Sequence, residues 1–218
     1  MNKFKLTLIS FVCIVTLGCS DFQPVVNPNN ILSESDTLTN ADFHVLFIGN
    51  SLTSSNNLPE LVKNSAEQKG IIIETKMIAL PGYALIDHWN DGSVQGHIES
   101  KKYNFVIVQQ GPSSQAYGRQ VLIEYGQKFK SLCEENDAEL GFFMVWPSLI
   151  YYQTFEGVIK NYRDAASIND AILCPAGEVW KKYFDSSNTF DYYGADGFHP
   201  SIKGSQVAAD VIVESLFQ

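Results

Sequence analysis

Beyond residue 42 the chain alternates between short apolar runs and longer stretches with helical spacing, and that order leaves few folds open. The run His44-Val45-Leu46-Phe47-Ile48 is continuous rather than polar at every second position, as expected of a strand buried on both faces. Leu58, Leu61, Val62 and Ala66 then recur at helical spacing, with Pro59 acceptable in a first turn and Gly70 as the stop, so a helix is predicted over 58–69. Further strands are predicted at 71–79, 105–108, 140–146 (ended by Pro147) and 171–174, and helices at 119–136, 155–168 and 201–217, the last capped by Ser201. Strands separated by helices imply right-handed βαβ units. The expected fold is a single three-layer α/β domain with a parallel sheet of five strands, covered on both faces. In such sheets ligands bind beyond the carboxyl ends of the strands, so the residues after each strand carry the most information.

The 218 residues suffice for one domain with a proper core. The formal charge of −9 gives a surface that repels phosphate backbones, which argues against a nucleic-acid partner. Residues 1–18 read as an export signal. Lys3 and Lys5 form a basic start, and the apolar stretch 6–17 is too short for a membrane helix. Thr16-Leu17-Gly18-Cys19 resembles a bacterial lipoprotein cleavage box, although Thr16 stands where an aliphatic residue is more usual. Cleavage there would leave Cys19 as the lipidated first residue, anchoring the protein to a membrane of the cell envelope; ordinary secretory cleavage is the alternative. Residues 19–42 are polar, rich in Asn, Ser, Thr and Pro, and read as a tether, leaving 43–218 as the folded domain. Cys133 and Cys174 lie in apolar contexts and are expected as buried thiols, although an exported protein could join them. No CxxC zinc pair is present. One histidine and two aspartates at Asp87, His88 and Asp91 are expected to be solvated rather than metal-binding.

Two post-strand segments carry chemistry. The first strand is followed by Gly49-Asn50-Ser51-Leu52-Thr53, which sets a serine on the turn leaving a buried strand, its hydroxyl at the sheet's end and backbone N–H groups nearby. Alone, Gly-x-Ser is common. Near the C-terminus stands Asp196-Gly197-Phe198-His199-Pro200. A serine hydroxyl becomes a useful nucleophile when a base takes its proton, and that base needs an orienting carboxylate. An aspartate three residues before a histidine on one loop can supply both.

Together, Gly49-Asn50-Ser51 and the distant Asp196-x-x-His199-Pro200 resemble the SGNH (GDSL-like) hydrolase superfamily, over the span from about Val45 to the C-terminus. The resemblance implies a flavodoxin-like sheet, a covalent acyl-enzyme mechanism, and no metal or organic cofactor. It implies Ser51 as nucleophile, His199 as general base, and Asp196 as the residue that holds the imidazole. It also implies an oxyanion hole from the N–H groups of Ser51 and Gly82, the latter in Leu80-Pro81-Gly82-Tyr83 after the second strand. The third donor departs from the pattern. Where the family shows Gly-x-Asn-Asp, this chain reads Gln109-Gln110-Gly111-Pro112-Ser113-Ser114. That block is similar to the Gln-Gly-Glu-Ser block of carbohydrate O-acetylesterases, which points to the Gln110 amide, with Ser113 and Gln109 as alternatives. Tyr83 and Trp146, among several post-strand aromatics, are candidates for contact with substrate. The expected function is hydrolysis of short-chain esters, acetyl above all, of a carbohydrate or similar alcohol. The alternatives are a lipase or thioesterase of the same superfamily and a glycan-binding surface lipoprotein without chemistry. An α/β-hydrolase is disfavoured, since Thr53 stands where its Gly-x-Ser-x-Gly elbow needs glycine.

Overall fold

A computed structural model describes residues 41–218. The export-signal reading, Cys19 and nearly all of the tether lie outside the described residues. Asp42 opens the domain by hydrogen bonding to both backbone groups of Ile72. The strands are β1 (Phe43–Gly49), β2 (Ile73–Ala79), β3 (Phe105–Val108), β4 (Glu139–Phe143) and β5 (Ile172–Cys174). Between and after them run α1 (Ser51–Ser54), α2 (Leu58–Gln68), α3 (Leu85–Asp91), α4 (Ser93–Glu99), α5 (Ala116–Glu135), α6 (Phe155–Ile168), α7 (Ala176–Ser187) and α8 (Ile202–Leu216). Short stretches of tighter helix fill Ser55–Asn57 and, with a kink at Tyr151, Leu149–Thr154.

All five strands are parallel, in the order β2-β1-β3-β4-β5. This is the flavodoxin-like arrangement expected from the alternation. Continuous apolar strands need cover on both sides, and Val45 to Ile48 and Val106 to Val108 are indeed shut away from solvent. Helices α2 and α8 pack together on one face, and α3, α5 and α6 follow one another on the other. The order of strands reverses between β1 and β3. There the connections leave in opposite directions and open a crevice at the carboxyl ends.

Several elements depart from expectation. Helices α3, α4 and α7 were not foreseen, nor was the short helix α1 on which Ser51 sits. The first two are seven residues each, too short for a clear period, and Gly92 separates them in a left-handed conformation (φ 81°) that most residues avoid. The fourth strand stops at Phe143 rather than Trp146, because its outer neighbour offers pairing only from Ile172 to Cys174. Beyond Phe143, the Met144 N–H still donates to the Cys174 carbonyl at 3.0 Å, and its own carbonyl accepts the Gly177 N–H, so Met144 to Trp146 stay buried after the ladder ends. Cys133 and Cys174 are separate buried thiols, both pushed up to about 12 by loss of solvent.

Candidate active site

Ser51 is the first residue of α1, directly beyond the end of β1. The turn before it is locked from three sides. Asn50 caps α1, its side-chain oxygen accepting the Leu52 N–H at 3.1 Å, while its amide donates to the Tyr83 carbonyl at 2.9 Å. The Gln109 side chain, shut in at the end of β3, accepts both the Asn50 N–H (2.9 Å) and the Thr53 hydroxyl (2.7 Å). Gly49 lets these groups close in: a Cβ there would sit 2.6 Å from the Gln109 oxygen and would overlap the Thr53 hydroxyl. His88 completes the lock. It is wholly buried under the turn and donates from Nε2 to the Gly49 carbonyl at 2.7 Å, while Nδ1 has no partner. The carbonyl can only accept, so this nitrogen carries the proton. Burial lowers its pKa from the ordinary 6.5 by penalising the charged form. The expectation of a solvated His88 is corrected: the ring is structural.

The Asp196–His199 loop lies against this turn, held by α8 behind it. Ser201 caps α8 by accepting the Gly204 N–H at 3.1 Å. His199 Nδ1 lies 2.6 Å from Asp196 Oδ2, and Nε2 lies 2.9 Å from Ser51 Oγ. The second Asp196 oxygen accepts the N–H groups of Phe198 and His199, both at 2.9 Å. The bond from His199, then that from Phe198, holds the Asp196 carboxyl down at about 2. An ionised carboxylate fixes the proton on Nδ1 and leaves the Nε2 lone pair facing the serine hydroxyl. Residues 148 positions apart in sequence thus form one hydrogen-bonded chain.

Gly82 lies at the mouth of the same cleft in a left-handed conformation (φ 78°). The Ser51 N–H, in the first turn of α1, has no partner within the helix. Gln110 is placed differently from expectation. Its amide donates both protons inward, to Ser113 Oγ at 2.7 Å and to the Gly118 carbonyl at 3.0 Å, and its oxygen accepts the Leu85 N–H. No proton of that amide is left for an oxyanion in this arrangement. Ser113 holds a left-handed backbone (φ 58°), unusual for a side-chain-bearing residue, and its hydroxyl turns back to the Gly111 carbonyl. The block is buttressed from α6, where Tyr162 donates to the Gln110 carbonyl at 2.6 Å and Asn161 to the Ser113 carbonyl at 2.8 Å. Sequence reasoning gave no hint of Tyr162 or Asn161, since both read as ordinary helical positions.

The cleft around Ser51 has a volume of about 420 Å³. Asn50, Gly82, Tyr83 and Gln110 line it, with Ile86 and Val121 among its apolar residues and Tyr117 exposed at its edge. Tyr83, expected to meet substrate, lines this cleft. Trp146 does not, and that expectation is corrected. It is fully buried, stacked on Trp180 with ring centres 3.4 Å apart, and its Nε1 donates to the Phe198 carbonyl at 3.0 Å. Its large apolar surface belongs to the core, and its one polar atom holds the histidine loop.

Comparison with known proteins places this architecture. The chain has the fold of the SGNH hydrolases. A protein from Slackia heliotrinireducens described as an SGNH hydrolase superposes with a TM-score of 0.68 at 23% identity, covering 81% of this chain and 100% of that one. An acetyl xylan esterase gives 0.62 at 14% identity, covering 80% of this chain and 100% of its own. A psychrotrophic esterase from Pseudoalteromonas sp. gives 0.58 at 12%, covering 80% and 97%. No family model and no curated protein matches the sequence.

Proposed function

We propose that this protein is a serine esterase acting through an acyl-enzyme, and that it removes short acyl groups, acetyl first, from a carbohydrate or similarly polar alcohol. The observation that carries the reading is the unbroken chain Ser51–His199–Asp196, with an ionised carboxylate at one end and the serine hydroxyl at the other. In this reading Ser51 Oγ attacks the carbonyl carbon while its proton passes to His199 Nε2. The oxyanion faces the N–H groups of Ser51 and Gly82. The intermediate collapses as His199 returns the proton to the departing alkoxide, leaving an ester on Ser51. Water then attacks, giving its proton to His199, and the acid leaves with Ser51 restored. Because the Gln110 amide is occupied, its part is to hold the Gly111–Ser113 loop, and two backbone donors carry the oxyanion.

Short acyl groups are the class favoured here, in a cleft that sets Asn50, Ser51, Gln110 and Ser113 beside Ile86, Val121 and Phe198. Similarity in fold to an acetyl xylan esterase agrees with this, as does the Gln-Gly block. We further propose attachment to the bacterial envelope through a lipid on Cys19, where glycans are met. The first test is hydrolysis of p-nitrophenyl acetate by wild type and Ser51→Ala. A loss of roughly a thousandfold or more, with the thermal transition within a few degrees, is expected. Retention of a tenth of the rate would remove Ser51 from the reaction.

A further inference from the structure

The cleft has a second lobe, of about 480 Å³, that shares Pro112 and Phe198 with the first. Its wall is the 3₁₀ turn Leu149–Thr154, represented by Tyr151 and Thr154, together with Pro147, Ser148, Ser114 and Gln115. This wall is fastened to the histidine loop. The Leu149 N–H donates to the Gly197 carbonyl at 2.7 Å, and the Ser148 hydroxyl reaches the same oxygen at 3.3 Å. Phe198, the shared wall, immediately precedes His199.

We propose that this lobe binds the alcohol half of the ester, and that its occupant is an uncharged, ring-shaped polyhydroxylated alcohol such as a pyranoside. The assignment rests on the esterase reading above. The chemistry sets the direction. The oxyanion must face the donors of the first lobe, while the departing oxygen must receive its proton from His199 Nε2, so the alcohol leaves on the histidine side. The second lobe is the one whose wall is hydrogen-bonded to the histidine loop, through Leu149 and Ser148 to the Gly197 carbonyl. Its lining sets the class of ligand. Tyr151, Phe198 and the two prolines supply the flat apolar faces that dominate the lobe, with Ser114 and Gln115 beside them; the Ser148 and Thr154 hydroxyls donate to the Gly197 and Tyr151 carbonyls and keep lone pairs to accept from a ligand hydroxyl. None of these residues is charged, so a phosphorylated or ammonium-bearing alcohol would lose its hydration without an ion pair. A sugar ring, with an apolar face and hydroxyls around its edge, fits this mixture. Tyr151 is 57% exposed, so its ring is free to cover a ligand.

The experiment compares ethyl acetate with a mono-O-acetylated methyl xyloside, in wild type, Tyr151→Ala and Tyr151→Phe. In wild type kcat/KM should be at least tenfold higher for the xyloside ester. Tyr151→Ala should lower that preference about tenfold, the scale of one apolar contact in a pocket, while Tyr151→Phe, which keeps the ring, should retain most of it. Protein-detected NMR titration with unesterified methyl xyloside gives a second readout that needs no turnover. Shifts centred on Tyr151, Ser148 and Gln115, weakened in Tyr151→Ala, are expected. Absence of preference in wild type, equal falls for both esters in Tyr151→Ala, or shifts centred on Tyr83 and Val121 would overturn the assignment and leave the esterase standing. If neither ester is cleaved, the esterase reading fails, and the NMR titration still decides whether the lobe holds a sugar.

Discussion

At the scale of single residues, the arrangement depends on side chains that never touch a substrate. Gln109 is the clearest. Its oxygen is the acceptor for two buried donors beside Ser51, and its own amide is spent on the Gln110 carbonyl at 2.6 Å. Gln109→Ala should strand the Asn50 N–H and the Thr53 hydroxyl, costing about 1–3 kcal/mol per stranded group. Turnover should fall roughly tenfold or more through displacement of the serine turn, while KM changes less. Thermal melts and initial rates on one preparation check both. His88 makes the second residue-scale prediction. Its folded form resists the proton, whereas an unfolded chain accepts one near 6.5. Its contribution to stability is therefore complete above that pH and declines as pH falls below it, toward the lowered folded value. The melting temperature should drop between pH 7.5 and 5.5, and His88→Gln, which can still donate to Gly49, should drop less. Equal drops would assign the pH dependence to other groups.

At the scale of elements, the ends of the first four strands each deliver a part of the arrangement: Ser51 beyond β1, Gly82 beyond β2, Gln109 and Gln110 beyond β3, and Trp146 beyond β4. The last part works at a distance. Trp146 is wedged between β4 and α7, and from there it holds the carbonyl next to His199. Trp146→Phe keeps most of the stack but leaves the Phe198 carbonyl without its donor. A modest fall in melting temperature and a several-fold fall in kcat with little change in KM are expected, measured by steady-state kinetics. A larger effect on KM than on kcat would mean that Trp146 acts through the cleft wall instead. The short helices α3 and α4 escaped sequence reading because neither is long enough to display a period, and their positions follow from packing against α5 and each other.

At the scale of the whole molecule, the domain and its proposed anchor are separable claims. Cys19→Ser should shift the protein from the membrane fraction to the soluble one in the native host, with ester hydrolysis per molecule unchanged, since Cys19 precedes the domain by more than twenty residues. Unchanged partitioning into detergent would remove the lipid-anchor proposal without touching the chemistry. The sequence by itself determined the layered parallel sheet, because continuous apolar runs between helical stretches have few other ways to be buried. It also pointed to Ser51, Asp196 and His199, because they stand in compact motifs whose spacing is local. Only the tertiary structure decided what the other side chains do. Whether Gln110 aims its amide into the cleft or into its own loop, whether Trp146 meets substrate or core, and whether His88 is wet or buried all depend on neighbours far off in the chain. Tyr162 on α6, Gly118 on α5, Trp180 on α7 and the carbonyl of Gly49 supply those neighbours. Hydrogen bonds and packing act over a few ångströms in space, whatever the separation along the chain, so they become legible only once the strands have brought their ends together.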